Sequence, residues 1–251
     1  MTAVRGTSVD ITTEDGTADA YLVRPDDDAA HPAVLLYMDA FGLRPQLRAM
    51  ADRLAAAGYT VLVPNLFYRH GRTPVFDLPE FIDTGARPDL WEKIYPLVLS
   101  VTPELAVRDA EAYTRWLADS PDTTDGPIGL TGYCMGARLT LPTAAALGQR
   151  VAAVAGFHGS RLVTDAPDSP HLSVDAVTAE VYFGHADQDP GLPPEQIDGF
   201  EKALTAAGVR HRTEVYTGAT HGYTQADTSA YDAEAAERHW TALLDLFGRN
   251  L

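Results

Sequence analysis

One five-residue stretch, Gly132-Tyr133-Cys134-Met135-Gly136, restricts the fold more than any other part of the chain. It follows the short apolar run Ile128-Gly129-Leu130-Thr131 and leads into Ala137-Arg138-Leu139-Thr140-Leu141, which reads as the start of a helix. A reactive side chain between two glycines at a strand-to-helix turn is the nucleophile-elbow pattern G-x-S-x-G, here with cysteine in place of serine. Such a turn is tight and strained, and it lifts the central side chain above the sheet edge. A Cβ at either flanking position would collide with a neighbouring strand or helix, so glycine is required there. The turn also sets Cys134 at a helix N-terminus, where the macrodipole and free N–H groups favour a thiolate and a developing oxyanion.

The remaining chain alternates between strand and helix. Val9 to Ile11 and Ala18 to Val23 read as two strands around the turn Glu14-Asp15-Gly16. Ala33 to Met38 and Tyr59 to Val63 are continuous apolar runs, as expected of strands covered on both faces. Between them, Pro45 to Ala57 has helical spacing and a stop at Gly58. Residues 65–101 break the rhythm with prolines, arginines and six aromatics, and read as a lid, a pocket wall or a packed surface insertion. Pro103 to Leu117 is a helix with proline in its first turn. Further strands are expected at Val151–Phe157, Thr178–Phe183 and Arg212–Tyr216, and helices at Pro194–Ala207 and Ser229–Phe247. The expectation is one doubly wound α/β domain over residues 1–251, with a mostly parallel sheet and helices on both faces.

Composition narrows the function. A net charge of −16 opposes nucleic acid and offers no basic patch to an anionic membrane. There is no secretory leader in Met1 to Asp10, no apolar run of spanning length and only one cysteine, so a cytoplasmic protein without disulfides is expected, as a monomer or small homo-oligomer. No His/Asp/Glu set has metal-ligand spacing such as H-E-x-x-H, so no metal is expected.

In a doubly wound sheet, functional groups gather in the loops after the strand C-termini. Three such loops carry, in order, Cys134, Asp187 and His221. Nucleophile, acid, histidine is the chain order of α/β-hydrolases. His221 would take the thiol proton and return it to the leaving group, and Asp187 would orient the imidazole. Asp189 is the rival acid; the spacing Gly184-x-x-Asp187 at the expected strand end favours Asp187. His158 and His185 are alternative bases that miss the last loop, and His158 is read as pocket wall. An oxyanion hole is expected from the backbone N–H groups of Met135 and Ala40.

These segments resemble the dienelactone hydrolase (carboxymethylenebutenolidase) family over nearly the whole chain. The likeness rests on Asp39-Ala40-Phe41-Gly42-Leu43, the Cys134 elbow, Gly184-x-x-Asp187 and His221-Gly222-Tyr223. It implies an α/β-hydrolase fold, a Cys-His-Asp triad, no cofactor, and hydrolysis of a small ester or enol-lactone through a thioester. Two positions depart from the family. Its thiol-activating glutamate is replaced by the shorter Asp39, and an arginine that reads a substrate carboxylate is replaced by Gln225. Arg69, Arg72 and Arg87 are candidates for a second such arginine, in the lid. The substrate is expected between Phe41, Tyr133, His158, Tyr223, Gln225 and the aromatic lid. The competing reading is a ligand-binding protein with a vestigial triad.

Overall fold

The computed structural model of the chain describes residues 2–85 and 88–251. Its eight strands are β1 (Val4–Thr13), β2 (Gly16–Pro25), β3 (Ala33–Tyr37), β4 (Thr60–Pro64), β5 (Ile128–Tyr133), β6 (Val151–Phe157), β7 (Glu180–Gln188) and β8 (His211–Thr220). They form one sheet in the order β1-β2-β4-β3-β5-β6-β7-β8. The β1–β2 hairpin and the β2–β4 pair are antiparallel, and every pair from β4 onward is parallel. Strands β3, β4 and β5 are buried at every position, which explains their unbroken apolar runs.

Helices fill the connections: α1 (Pro45–Ala56), α2 (Pro88–Ser100), α3 (Pro103–Ala118), α4 (Met135–Leu147), α5 (Pro194–Ala206) and α6 (Ala233–Asn250). From β3 the chain crosses through α1 to β4 on one side, and from β5 it crosses through α4 to β6 on the other. Right-handed crossovers in opposite directions place α1 and α4 on opposite faces of the sheet. The strand order therefore reverses beside β3, and the C-terminal ends of β3 and β5 open a crevice there.

Three expectations are corrected. The stretch 65–101 contains the regular helix α2, whose stripe Leu90, Ile94, Leu97 and Val98 packs inward; Pro96 lies within the helix and disguised it in the sequence. Helix α6 starts at Ala233 because the Asp232 side chain caps it, accepting from Glu234 N–H and Ala235 N–H at 3.0 Å each. Strand β7 runs five residues past Phe183, to Gln188, and this changes the reading of the acid.

Candidate active site

The elbow forms as its glycines require. A Cβ on Gly132 would lie 2.5 Å from the Gly136 backbone, and one on Gly136 would lie 2.5 Å from the Tyr37 carbonyl oxygen and 2.6 Å from that of Met38. Cys134 itself sits at φ 53°, ψ −112°, a conformation that side-chain-bearing residues adopt only at a cost. Its N–H donates to Phe157 O at 3.1 Å, fixing the turn to β6. Met135 is the first residue of α4, so its N–H has no intrahelical acceptor. Parallel pairing of Tyr37 with Gly132 brings Ala40, just past β3, to the same crevice. Its N–H, too, has no acceptor among the described residues.

His221 lies one residue past β8, with its Nε2 3.0 Å from Cys134 Sγ. Its Nδ1 lies 2.6 Å from Asp189 Oδ2. The acid that meets the histidine is thus Asp189 and not Asp187. The cause is the register of β7 on β8. Ala186 pairs with Tyr216 and Gln188 with Thr220, so Asp187 lies opposite a bulge at residues 217–219 of β8. There its exposed carboxylate accepts from Gly218 N–H at 2.9 Å. One step past the Gln188–Thr220 pair, Asp189 and His221 emerge side by side. Asp189 is further held by Gly191 N–H at 2.8 Å and by Ser160 Oγ at 3.0 Å, and Ser160 Oγ also lies 3.1 Å from His221 Nδ1.

The charges follow from this geometry. Burial opposes the charged form of His221, but the Cys134 sulfur and the Asp189 carboxylate outweigh it and hold the imidazole well above its ordinary value. Burial likewise opposes the charged form of Asp189, while its bond to His221 leads the groups that pull the carboxyl below its ordinary value. The other histidines behave differently. Burial drives His158 well below the ordinary value, and its Nε2 lies 2.7 Å from Thr224 Oγ1. His185, packed against Phe183 and Phe200, is pushed down to about 4 by burial. Neither hydrogen-bonds the Cys134 sulfur among the described residues.

Asp39 forms no hydrogen bond to the sulfur among the described residues, although both line one cavity. It is shorter than a glutamate, and Arg44 captures its carboxylate: the two guanidinium NH2 groups donate to Oδ1 at 2.7 Å and Oδ2 at 3.1 Å. Phe41 N–H donates to Oδ1 as well, at 2.9 Å. Burial raises the Asp39 carboxyl above its ordinary value while Arg44 pulls the other way, and every donor around it is an N–H, the arrangement that suits an ionised carboxylate. Arg44 also donates to Asp227 at 2.6 and 3.0 Å and to Gln225 Oε1 at 3.1 Å. Arg44 thus brings a guanidinium against position 225 from elsewhere in the chain. Burial works against its charge, but the buried Asp39 and the partly exposed Asp227 outweigh it and hold it above its usual range.

A cavity of about 200 Å³ adjoins the sulfur. Phe41, His158 and Gln225 line it as expected, and Trp91 and Thr84 come from the lid segment. Phe41 and Trp91 meet at 5.5 Å between ring centroids, above a small apolar cluster of Ala40, Ile82, Leu90 and Ile94. Tyr133 and Tyr223 are not part of this wall. Both are fully buried behind the site, with the Tyr133 hydroxyl against His239 Nε2 at 3.1 Å and the Tyr223 hydroxyl donating to Gly184 O at 3.1 Å. Of the lid arginines, Arg69 is paired with Asp15 and Asp109 and Arg72 with Asp10, while Arg87 lies outside the described residues.

Sheet order, elbow and last-loop histidine together define the α/β-hydrolase class. Within that class the chain belongs to the dienelactone hydrolase family, whose sequence profile matches residues 18–251. A Synechocystis protein provisionally named a carboxymethylenebutenolidase is 26% identical over 99% of this chain and 98% of its own. A Salmonella typhi protein of the same provisional name is 29% identical, over 92% of this chain and 82% of its own. Among solved structures, a Klebsiella pneumoniae protein provisionally described as a dienelactone hydrolase superposes with a TM-score of 0.85 at 24% identity, covering 98% and 99% of the two chains. A dienelactone hydrolase-like promiscuous phosphotriesterase from metagenomic libraries gives 0.80 at 23%, covering 99% of each. By family the chain is a hydrolase.

Proposed function

We propose that this protein hydrolyses small esters or enol-lactones with Cys134 as nucleophile. The observation that carries the reading is the unbroken relay Cys134 Sγ–His221 Nε2 (3.0 Å) and His221 Nδ1–Asp189 Oδ2 (2.6 Å) beside a cavity of about 200 Å³. The thiolate attacks the carbonyl carbon, and the resulting oxyanion accepts from Met135 N–H and Ala40 N–H. The intermediate collapses to a thioester, and the His221 imidazolium delivers its Nε2 proton to the departing alkoxide or enolate. Neutral His221 then deprotonates a water that attacks the thioester. The acid departs and the thiolate–imidazolium pair is restored. Asp189 holds Nδ1–H throughout and stabilises the imidazolium. Asp39 takes no proton in this sequence, because Arg44 holds it. A continuous relay supports turnover over a vestigial site.

The test is hydrolysis of a short-chain p-nitrophenyl ester and a dienelactone, side by side. Both are expected to turn over, and Cys134→Ala is expected to abolish both while leaving the fold intact. Asp189→Asn should lower kcat about 10⁴-fold, by analogy with the acid of serine triads, and Asp187→Asn should change it little. Retained activity in Cys134→Ala, or equal losses at 187 and 189, would refute the assignment.

A further inference from the structure

Among the described residues, three that are not glycine take a left-handed backbone: Cys134 at φ 53°, His158 at 39° and Arg161 at 57°. The first is the strained turn of the nucleophile. The other two enclose Gly159 and Ser160, in the loop that leaves β6. Side chains adopt this conformation at a cost, so the surrounding structure must hold them there. It does so from two sides. His158 N–H donates to Gly184 O at 2.9 Å, and Arg161 N–H donates to Gly191 O at 3.0 Å. On the α4 side the fit is close, since a Cβ on Gly159 would lie 3.0 Å from Ala137 Cβ.

The side chain this clamp presents is that of Ser160. Its Oγ lies 3.0 Å from Asp189 Oδ2, 3.3 Å from Asp189 Oδ1 and 3.1 Å from His221 Nδ1. It has no backbone partner among the described residues, so the hydroxyl serves no local turn, the usual task of a loop serine. The acid loop is fitted to it: a Cβ on Gly191 would lie 2.7 Å from Ser160 Oγ. The two oxygens of Asp189 are held unequally. Gly191 N–H takes Oδ1 at 2.8 Å, and His221 Nδ1–H takes Oδ2 at 2.6 Å. With those two donors alone, the carboxylate is free to turn about the Gly191 bond whenever the imidazole moves. A hydroxyl carries one donor and spare lone pairs. Ser160 O–H donates to Oδ2 while a lone pair faces His221 Nδ1–H, so the three side chains close a ring in which each bond polarises the next.

We propose that Ser160 is a positioning residue for hydrolysis, tying down Asp189 Oδ2 so that the carboxylate keeps its aim on His221 Nδ1 throughout the cycle. This rests on the hydrolase reading above. In that cycle His221 Nε2 serves three atoms in turn: the sulfur, the departing oxygen and the attacking water. The ring must therefore shift at its Nε2 side while its Nδ1 side stays in place. With Oδ2 bonded to Ser160, the Nδ1 contact is a fixed pivot. Ser160 gains and loses no proton, and its role is to hold geometry. The backbone strain at residues 158 and 161 is what this placement of the hydroxyl requires.

The test is a double-mutant cycle of Ser160→Ala and Asp189→Asn, alone and together, assayed with p-nitrophenyl butyrate. Ser160→Ala is expected to lower kcat about tenfold with KM unchanged. In the Asp189→Asn background the same substitution should cost about twofold or less, because a serine that acts through the carboxylate has nothing left to hold. A serine with a merely structural role would cost the same factor in both backgrounds. That result, or an unchanged kcat in Ser160→Ala, overturns the proposal. Proton NMR gives a readout independent of turnover. The His221 Nδ1 proton, bonded to a carboxylate, should resonate far downfield in the wild type and broaden or move upfield in Ser160→Ala. If the wild type cleaves no ester, the hydrolase reading fails and this resonance decides the role of Ser160. A changed signal in Ser160→Ala upholds the positioning contact, and an unchanged one overturns it.

Discussion

Arg44 and Arg138 flank the Cys134 turn from opposite sides, and their surroundings differ. On the β3 side, Arg44 is 6% exposed and donates to Asp39, Asp227 and Gln225. On the α4 side, Arg138 is half-buried and forms no ion pair among the described residues. A guanidinium saturated by its own chain builds structure, because every donor a ligand could use is occupied. One without such partners leaves the fold little to lose.

Removing Arg44 is the strongest way to break this contrast. Arg44→Ala leaves Asp39 buried and unpaired, so a loss of about 3–5 kcal/mol is expected in denaturant unfolding. Replacing the pair together, as Asp39→Leu with Arg44→Met, should recover most of that loss, since Asp227, the carboxylate left without Arg44, is partly exposed to solvent. A double variant as unstable as Arg44→Ala would mean that the network does more than neutralise Asp39.

A smaller effect separates the pairs by pH. Arg44 stays protonated throughout the working range, whereas the His221–Asp189 contact titrates. Asp189 is lowered in the folded state, so its contribution is present above the ordinary 3.8 and is lost as pH falls through the lowered value. His221 is raised, so its contribution is full below the ordinary 6.5 and is lost as pH rises through the raised value. The stability difference between wild type and Asp189→Asn should therefore be greatest between pH 3.8 and 6.5. A difference flat from pH 3 to 10 would refute the charged contact.

The smallest effect is expected at Arg138. Arg138→Ala should alter stability by no more than about 0.5 kcal/mol, or raise it slightly by removing repulsion from Arg161. A loss of several kcal/mol in thermal unfolding would make Arg138 a structural residue like Arg44 and erase the contrast.

The parts of the site that could be read from sequence have local signatures. The elbow is five consecutive residues, and His221 follows a strand in a glycine-flanked loop. The sequence favours Asp187 over Asp189 because the apolar run ends at Phe183, while hydrogen bonding carries the strand on to Gln188. No residue type in that stretch announces the bulge opposite Asp187. Tyr133 reads as pocket wall because a strand buried on both faces has no polar alternation to reveal which way a side chain points, and Tyr223 because it lies in a turn, where no periodicity reveals it. Arg44 was passed over because its partners at 225 and 227 lie some 180 positions away. Its adjacency to the Asp39 loop was the one usable hint. Helix α2 was legible in principle, since Leu90, Ile94, Leu97 and Val98 keep helical spacing across the proline.

Gly136 also serves as a gauge. With no side chain, it lets α4 rest directly on the carbonyl ends of β3, at Tyr37 and Met38. Met135 rides on that helix and Ala40 on the loop leaving that strand, so the same contact sets the gap between the two amides. An added methyl would act as a shim, prying those two amides apart and shifting the elbow that carries Cys134.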